Sequence, residues 1–437
     1  MSERSDPVPF FRDVAAAHRR CFWLDGGGAR EWSGRRSIIG WLDEENPSLS
    51  WSAARREVTL HAGGVATVVG DDVFAVLEQR IATGEQWFGY LGYASRPDLP
   101  ATSDPTLPDA VWMRPRAVRV FEHEVGSSSP LSSSVSSSSV SPLERGNRHS
   151  EGVAKASRSQ DPPPSSYAAA FARVQEHLHA GNSYEVNLTH RLSRPADLDP
   201  VTAYLRLREL NPAPYSGFLQ HDVDGARAWL LSSSPERYAL VTADRHLETK
   251  PIKGTTPRGA TVEEDVHHRE RLARDPKNRA ENLMIVDLLR NDLSVVCEVG
   301  SVEVPVLMEV ESYESVHQLV STVRGRLRDD VSTVAALRAL FPAGSMTGAP
   351  KLRTMEIIEE VESSPRGAYA GAFGWISGDG PADLGVVIRS LMTDGSGTWT
   401  LGTGGGITVK SDVAEEWAES EWKAERLLRV FDPPDAL

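Results

Sequence analysis

A serine- and proline-rich tract divides this chain into two unequal segments. It contains SSSPLSSSVSSSSVSP at 127–142 and ends at three consecutive prolines, 162–164. Such a sequence has too little apolar surface to offset the entropy lost when a chain becomes ordered. We therefore predict a flexible linker over 126–164, between an N-terminal segment, 1–125, and a larger C-terminal segment, 165–432.

The hydrophobic pattern predicts both strands and helices, without a regular alternation of the two. Before the linker, alternating runs at 58–61 and 87–93 indicate strands. After it, apolar residues at helical spacing predict helices at 167–178, 278–291, 334–340, 351–361 and 413–430. Strand-like runs lie at 184–189, 229–233, 238–241, 316–323, 371–376, 386–392 and 398–402. This mixture, with no repeat of fixed period, favours an α+β fold over a doubly wound sheet.

Charge and cysteine content exclude several classes of function. The 437 residues include 47 Lys and Arg against 61 Asp and Glu, a formal charge of −14 that disfavours nucleic acid as a partner. Cys21 and Cys297 are too far apart in sequence for a CxxC pair or a zinc cluster. The amino terminus lacks a signal-peptide pattern, and no apolar run reaches the ~18 residues that span a bilayer. We therefore expect a cytoplasmic protein with no membrane partner.

The most unusual local sequence is PIKGTTPRG at 251–259. Its prolines and glycines surround Lys253, a pair of threonines and an arginine, a composition that fits a surface turn or a binding site equally well. A lysine in a site shielded from water can lose its proton and act as a nucleophile. The spacing does not match a phosphate-binding GxxxxGK[ST] loop.

Acidic side chains occur in three contexts, each with a structural and a functional interpretation. Glu236 is either a turn carboxylate paired with Arg237 or a site acid. Glu281 opens an apolar helix, where the helix dipole alone favours an acid in the first turn. On the C-terminal helix, one face carries Glu416, Glu419 and Lys423. That face is either a solvated stripe with a Glu419–Lys423 pair or part of a Mg²⁺ site shared with another helix.

Two glycine-dense segments, GSMTGAPK at 344–351 and GTGGG at 402–406, each join predicted elements. Backbone amides exposed in such segments can bind an anion. Arg389 follows an apolar run at 386–388 and suits a bidentate carboxylate contact, although a surface ion pair is the simpler interpretation.

Taken in order, these segments resemble the chorismate-utilising enzymes, and most closely the component I branch that forms aminodeoxychorismate. The resemblance covers 167–428 and rests on SYEVNL, SPER, PIKGTTPRG, AENLMIVDLLRNDL, VHQLVS, FPAGSMTGAPKLRTMEII, AYAGAFGWIS, IRSLMT and GGGIT…EEWAESEWKA. The N-terminal segment resembles the corresponding part of the family through FWLD, FGYLGY and PDAVW. The resemblance implies an α+β fold of two large, mostly antiparallel sheets packed face to face with helices outside.

The resemblance also implies a reaction. The residue before Gly-Thr is alanine in relatives that form anthranilate or isochorismate and lysine in the aminodeoxychorismate branch; this chain has Lys253. In that branch the lysine attacks chorismate at C2 as the C4 hydroxyl leaves, and ammonia then displaces the lysine by attack at C4. The implied product is 4-amino-4-deoxychorismate, a precursor of 4-aminobenzoate and so of either folate or a 4-aminobenzoate-derived natural product. Its ammonia comes from a separate glutaminase subunit, so a heterodimer is implied.

By resemblance, each site residue acquires a role. Glu236 matches the general acid for the departing hydroxyl, which requires a raised pKa. Glu281 and Glu419 match Mg²⁺ ligands, with Glu416 as a close or water-mediated partner. The family positions that bind the two substrate carboxylates are occupied here by Gly254, Thr255, Arg389, Gly404, Gly405 and Lys423. The position near the enolpyruvyl pocket is occupied by Trp375.

This chain departs from the family pattern at several positions. Glu185 replaces a lysine that activates water in hydrolytic and isomerising relatives, and Trp375 replaces a tyrosine. Gln318 replaces a histidine, with His317 beside it, and Gly26 replaces a serine of the regulatory tryptophan pocket. The alternatives are an anthranilate synthase component I and a non-catalytic chorismate-binding subunit. Lys253 argues against the first, and the retained Lys253 and Glu236 argue against the second.

Overall fold

The computed structural model describes residues 6–26, 36–123, 162–313 and 316–433. Its helices are α1 (Pro7–Ala17), α2 (Val73–Arg80), α3 (Ser165–His179), α4 (Pro200–Leu210), α5 (Val262–Arg274), α6 (Pro276–Ser294), α7 (Thr333–Leu340), α8 (Lys351–Val361) and α9 (Val413–Leu428). Its strands are β1 (Arg20–Asp25), β2 (Arg36–Leu42), β3 (Ser48–Ser52), β4 (Glu57–Ala62), β5 (Val65–Gly70), β6 (Gln86–Leu91), β7 (Ala110–Met113), β8 (Ala117–Glu122), β9 (Glu185–Pro195), β10 (Tyr215–His221), β11 (Ala228–Ser234), β12 (Arg237–Val241), β13 (His246–Lys250), β14 (Ile252–Pro257), β15 (Glu303–Ser312), β16 (Val316–Arg326), β17 (Gly348–Ala349), β18 (Ala372–Ser377), β19 (Ala382–Val386), β20 (Ser390–Thr393) and β21 (Thr398–Ile407).

The strands form two large antiparallel sheets, which confirms the predicted α+β class. The nine-stranded sheet has the order β17-β9-β21-β20-β11-β10-β1-β2-β8. The twelve-stranded sheet has the order β14-β16-β13-β12-β19-β18-β6-β7-β3-β4-β5, with β15 also paired to β16. Their inner faces meet directly: the rings of Phe22 on β1 and Phe88 on β6 stack with centroids 4.1 Å apart.

Both faces of the nine-stranded sheet are buried, because successive strand residues point to opposite sides. Phe22 lies in the core between the sheets, whereas its neighbours Cys21 and Trp23 lie in a second core on the outer face. Residues of α1 and α4, including Phe11 and Tyr204, complete that outer core. Helices therefore cover the outside of the sheet, as expected.

The two segments on either side of the predicted linker share both sheets. Strand β1 pairs with β10, and β6 pairs with β18. Neither segment completes a sheet alone, so the two are not separate packing units. Residues 126–161 of the predicted linker lie outside the described residues, and the boundaries 1–125, 126–164 and 165–432 stay a prediction.

Most predicted elements are present, with two corrections near the cavity described below. The strand predicted at 386–392 is interrupted: β19 ends at Val386, β20 begins at Ser390, and Arg389 between them has φ +50°. Helix α6 begins at Pro276, so Glu281 lies in its second turn and not in its first. Glu281 is therefore not in the first turn, where the helix dipole favours an acid, and it lines the cavity instead.

Among the helices of the described ranges, none has both the length and the apolar character that crossing a bilayer requires. The cytoplasmic location stays a prediction.

Candidate active site

A cavity of about 1400 Å³ lies where β14 of the twelve-stranded sheet faces β9 and β21 of the other sheet. Helices α6 and α9 and the short segment around Ser345 complete its walls. The structure brings nearly all of the predicted site residues to this cavity: Glu236, Lys253, Gly254, Thr255, Glu281, Arg389, Gly404, Gly405, Glu416, Glu419 and Lys423. Groups far apart in sequence therefore share one site.

Lys253 lies on a strand and not in a surface turn. PIKGTTPRG contains β14, which pairs with β16, and Arg258 holds its end by two hydrogen bonds to Asp265 on α5, of 2.6 and 2.7 Å. The side chain of Lys253 is 10% exposed and points into the cavity. This arrangement favours the site interpretation of the motif.

The ammonium of Lys253 contacts the buried carboxylate of Glu185 on β9. Its Nζ donates to Glu185 Oε1 over 2.5 Å. Burial alone would lower the pKa of Lys253, but the charges of Glu185 and Glu281 outweigh burial and raise that pKa above its ordinary value. In this structure Lys253 is therefore a buried ammonium ion that has to lose a proton before it can act as a nucleophile.

Glu236 has the environment of a carboxylic acid and not of a turn ion pair. It is 5% exposed and accepts a 2.6 Å hydrogen bond from Ser345 Oγ. Burial raises the pKa of Glu236 to about 7, although the hydrogen bond from Ser345 and the charge of Lys253 oppose the change. The neighbouring Arg237 pairs instead with Glu248. Glu236 can therefore hold a proton near neutral pH.

Three glutamates approach one another from two helices. Lys277 on α6 bridges them, with its Nζ 2.7 Å from Glu416 Oε1 and 4.0 Å from Glu281 Oε1. On α9, Lys423 pairs with Glu419 at 2.8 Å, and its charge lowers the pKa of Glu419 to about 2. The predicted pairing on the C-terminal helix is thus present, and it lines the cavity, where Glu416 is buried and Glu419 is half-exposed.

The glutamates fit a divalent cation by their chemistry. Glu281 Oε1 is buried without a hydrogen-bond partner among the described residues, and burial raises the pKa of Glu281 to about 7. A bound cation would supply the missing partner, and carboxylate oxygens are the ligands that Mg²⁺ prefers. Within the described ranges the acids are not drawn together into a formed metal cluster, since Lys277 lies between them. The Mg²⁺ site stays a prediction.

The cavity also carries groups suited to an anion. Arg389 forms no ion pair with any carboxylate in the described part of the chain, and burial lowers its pKa to about 10. Lys423 Nζ also donates to the carbonyl of Gly404 over 2.8 Å. At Gly405 a Cβ atom would lie 3.2 Å from Glu416 and 3.7 Å from Lys423, so its backbone directly faces these groups. Gly254 has φ +91°, which favours glycine.

Trp375 is the one predicted site residue that the structure does not bring to the cavity. It pairs with Phe88 and Asp383 within the twelve-stranded sheet, and its ring packs against the main core. A tyrosine six residues earlier, Tyr369, lines the cavity instead. The ring of Tyr369 lies against β21, where Gly402 leaves room because a Cβ there would come within 2.2 Å of the ring.

Other cavity residues were not assigned roles from sequence. Ser345, Asn187 and Lys277 all contribute polar atoms to the lining. Ser345 lies in the predicted glycine-dense segment, and Lys277 lies one turn before Glu281, but neither spacing reveals its contact. Gln318 lines the cavity, whereas the adjacent His317 faces the other side of β16 and contacts Ser312 and Asp265. His317 therefore does not replace a histidine in the cavity.

The fold and the cavity define a two-sheet α+β protein whose sheets and helices bring acidic and basic side chains together in one cavity. A family model described as chorismate binding enzyme matches residues 20–429. The chain belongs to this family of chorismate binding enzymes.

Curated relatives and solved structures agree with that assignment. The chain is 51% identical over 251 residues to aminodeoxychorismate synthase of Streptomyces pristinaespiralis, covering 57% of this chain and 34% of that protein. It is 43% identical over 266 residues to aminodeoxychorismate synthase component 1 of Escherichia coli (strain K12), covering 61% and 57%. The matches thus span between a third and somewhat more than half of these relatives' lengths. The structure is similar to anthranilate synthase component I from Streptococcus pneumoniae TIGR4, with a TM-score of 0.70, 25% identity and coverage of 91% and 92%.

Proposed function

We propose that this chain aminates chorismate at C4 to give 4-amino-4-deoxychorismate, acting as the large subunit of an aminodeoxychorismate synthase. The observation that carries the proposal is the buried Lys253 in the same cavity as the protonatable acid Glu236. A protein that only bound chorismate would have no chemical need for a nucleophile and an acid. The names of the curated relatives support the same product.

The proposed orientation of chorismate follows from the charges in the cavity. Arg389, which has no carboxylate partner in the described residues, is suited to one substrate carboxylate, through a planar guanidinium with several donors. Lys423 and the backbone at Gly404 and Gly405 face the glutamates, on the side where the second carboxylate would lie. Two fixed ends position the ring between Lys253 and Glu236.

The proposed chemistry has two displacements. The amine of Lys253, once neutral, attacks C2 while the ring double bond shifts and the C4 hydroxyl leaves. Glu236 donates its proton to that hydroxyl, which departs as water. Ammonia then attacks C4, the double bond shifts back, and the lysine amine leaves C2. Covalent catalysis divides one difficult substitution into two easier steps.

We propose that Glu281 and Glu419, with Glu416 close by, hold Mg²⁺. The bound ion would pair with the ring carboxylate and stabilise negative charge there. For this to happen Lys277 has to leave its position between Glu416 and Glu281, because a cation and an ammonium compete for the same oxygens. We expect Glu281→Gln to need a higher Mg²⁺ concentration than the wild-type chain for half-maximal activity.

We also propose that ammonia comes from a separate glutaminase subunit. The printed name component 1 of the Escherichia coli relative supports a second component. Free ammonium is expected to replace the partner at high concentration and alkaline pH, where more of it is neutral ammonia. The product would feed formation of 4-aminobenzoate, and through it either folate or a 4-aminobenzoate-derived natural product.

Anthranilate formation is the second candidate, favoured by the structural similarity to an anthranilate synthase component I. Lys253 is the feature that separates the two products.

The test is an incubation of the purified chain with chorismate, Mg²⁺ and ammonium at alkaline pH. An aminodeoxychorismate lyase is added, and the aromatic product is identified by mass and retention time. 4-Aminobenzoate is the expected result. Anthranilate without 4-aminobenzoate would overturn the proposed product, and no consumption of chorismate would favour a non-catalytic binding role.

A further inference from the structure

Lys253 needs a proton acceptor, and one carboxylate is already in contact with it. Glu185 Oε1 lies 2.5 Å from Lys253 Nζ, and the glutamate side chain is 1% exposed. Its other oxygen, Oε2, is buried and has no hydrogen-bond partner among the described residues. The carboxylate therefore has spare capacity to accept a proton from the ammonium group.

The other charged groups around Lys253 have different positions and roles. The negative charges of Glu281 on α6 and Glu236, in the turn before β12, both raise the pKa of Lys253. Neither forms an ion pair with Lys253 in the part of the chain that the structure describes, where the ammonium pairs with Glu185. Glu236 is also required in its protonated form to release the hydroxyl. Glu185 can therefore accept a proton from Lys253, whereas Glu236 has to stay protonated to release the hydroxyl.

The contact between Glu185 and Lys253 depends on the absence of a side chain at Gly406, on the neighbouring strand. Strand β9 pairs with β21, and a Cβ atom at Gly406 would come within 2.2 Å of Glu185 Oε1 and 3.2 Å of Lys253 Nζ. Only glycine at this position leaves space for both groups. Backbone pairing of β9 with β17 and β21 holds Glu185 on a strand flanked on both sides. The acceptor is therefore rigidly placed.

We propose that Glu185 is the catalytic base that takes a proton from Lys253 Nζ before attack and returns it when the lysine leaves. This inference rests on the proposed function. In the first step, Glu185 carboxylate and Lys253 ammonium become a carboxylic acid and a neutral amine, and the amine forms the N–C2 bond. The adduct is a secondary ammonium that keeps both N–H protons, and Glu185 holds the transferred proton as a carboxylic acid. In the second step ammonia attacks C4, the C2–N bond breaks with its electron pair going to nitrogen, and Glu185 returns its proton to the departing neutral amine. The ammonium formed at C4 gives one proton to the Glu236 carboxylate, which restores both acids to their starting states.

Exclusion of water favours this transfer. A buried ion pair pays a large desolvation penalty that its attraction only partly offsets, whereas a neutral acid–amine pair pays less. Substrate filling the cavity removes water from around Lys253 and so brings the two forms closer in free energy. The proton stays within the pair and does not have to escape to solvent.

The test compares kcat and KM for chorismate in the wild-type chain and in Glu185→Gln, at saturating ammonium. The glutamine carbonyl can accept the same hydrogen bond from Lys253 but cannot take its proton. We expect kcat to fall at least ~100-fold while KM stays within about threefold, the loss typical of a missing general base. A merely electrostatic role predicts the opposite, because removing the negative charge would lower the pKa of Lys253 and leave more neutral amine.

A second variant, Glu185→Ala, distinguishes a base from an orienting group. Sodium formate added to this variant can enter the space vacated by the carboxylate and accept the proton. We expect formate to restore kcat in a concentration-dependent way, with sodium chloride at equal ionic strength as the salt control. The matched control is Glu303→Gln at an exposed position on β15, which should keep wild-type kcat with or without formate.

The outcomes separate this inference from the proposed function. If the wild-type chain forms no 4-amino product, both are overturned. If it forms that product and Glu185→Gln keeps kcat within threefold, only the role of Glu185 is overturned. A large loss in Glu185→Gln with no effect of formate on Glu185→Ala would assign Glu185 an orienting role and also overturn the inference.

Discussion

Lys253 combines two properties that usually oppose each other in a protein: it is buried, and it is charged. Burial favours the neutral amine, whereas the carboxylates of Glu185 and Glu281 hold the proton and raise the pKa. A nearby acceptor resolves the conflict, since the same carboxylate that stabilises the ammonium can also remove its proton. On the proposal above, the neutral amine forms once substrate has displaced water from the site.

Replacing Lys253 tests its proposed role as the nucleophile. We expect Lys253→Ala to lower the rate of 4-amination at least ~1000-fold, because the covalent route is removed, with the fold intact. Product analysis with chorismate, Mg²⁺ and ammonium measures the effect. Lys410→Ala, at an exposed lysine outside the cavity, is the matched control and should behave as wild type. Undiminished 4-amination in Lys253→Ala would contradict the mechanism.

The raised pKa of Glu236 predicts a pH-dependent cost to stability. Burial raises this pKa from 4.5 to about 7, so the folded protein holds a proton that the unfolded chain releases. Stability from this group is present below pH ~4.5 and is lost as pH rises through about 7. Glu236→Gln removes the ionisation and should be more stable than wild type at pH 8, by at most about 3 kcal/mol, with a smaller difference at pH 5.

Thermal unfolding of both proteins at pH 5 and pH 8, without divalent cations, measures this difference. Glu303→Gln should show no pH-dependent gain, since that glutamate is exposed. Equal thermal unfolding midpoints for Glu236→Gln and wild type at pH 8 would show that ionisation of Glu236 does not destabilise the folded protein.

At the scale of elements, β21 gives the site its close contacts by lacking side chains. Gly402 leaves room for the ring of Tyr369, Gly405 faces Glu416, and Gly406 faces Glu185 and Lys253. The glycine-rich part of the strand, 402–406, gains little from its own side chains and is held by its pairing with β9. The absence of side chains at these glycines leaves space for functional groups from other elements to lie close to the strand.

Gly406→Ala tests the importance of this space. The added methyl group would displace the Glu185 carboxylate, so we expect kcat to fall at least ~10-fold with a smaller change in thermal midpoint. Steady-state kinetics and thermal unfolding together provide the measurement. Gly380→Ala is the control: its φ of +110° lies in an open turn, so that variant should lose stability and keep kcat. The reverse pattern would contradict the prediction.

Elements with strong apolar periodicity could be predicted from the sequence, and those defined by tertiary contacts could not. Helix α8 matches its predicted bounds, Lys351–Val361, because one apolar face is continuous. Helix α5 was not predicted, since its sequence, VEEDVHHRERLAR, buries only Leu272. Motif resemblance located most of the cavity residues. It did not single out Tyr369, which lines the cavity, and it included Trp375, which does not line it. Which of two nearby aromatic residues reaches the cavity depends on tertiary packing, and the role of Trp375 stays a prediction.

For the whole molecule, the shared sheets make the two segments interdependent. Strands β1, β2 and β8 complete the nine-stranded sheet, and β3 to β7 complete the other. Removing either segment would expose long unpaired strand edges and the apolar core between the sheets. Stability therefore belongs to the complete pair of sheets.

Cleavage between the segments should leave the molecule assembled. We expect a chain cut at a protease site engineered within 126–161 to elute as one species on size exclusion, because β1–β10 and β6–β18 pairing holds the fragments together. Denaturing electrophoresis of the same peak should show two fragments. A C-terminal segment, 165–433, produced alone should aggregate. Separate elution of two folded fragments would contradict this prediction.

The pairing of β1 with β10 also has a consequence during protein synthesis. Arg20 pairs with His221, so at about 5 to 20 residues per second the first strand waits roughly 10 to 40 s for its neighbour to leave the ribosome. Strand β6 waits longer, since Leu91 pairs with Ala372, which is synthesised later still. The nascent chain thus exposes unpaired strand edges and apolar surface for much of translation. Its yield in a cell should depend on chaperones that act before the chain is released.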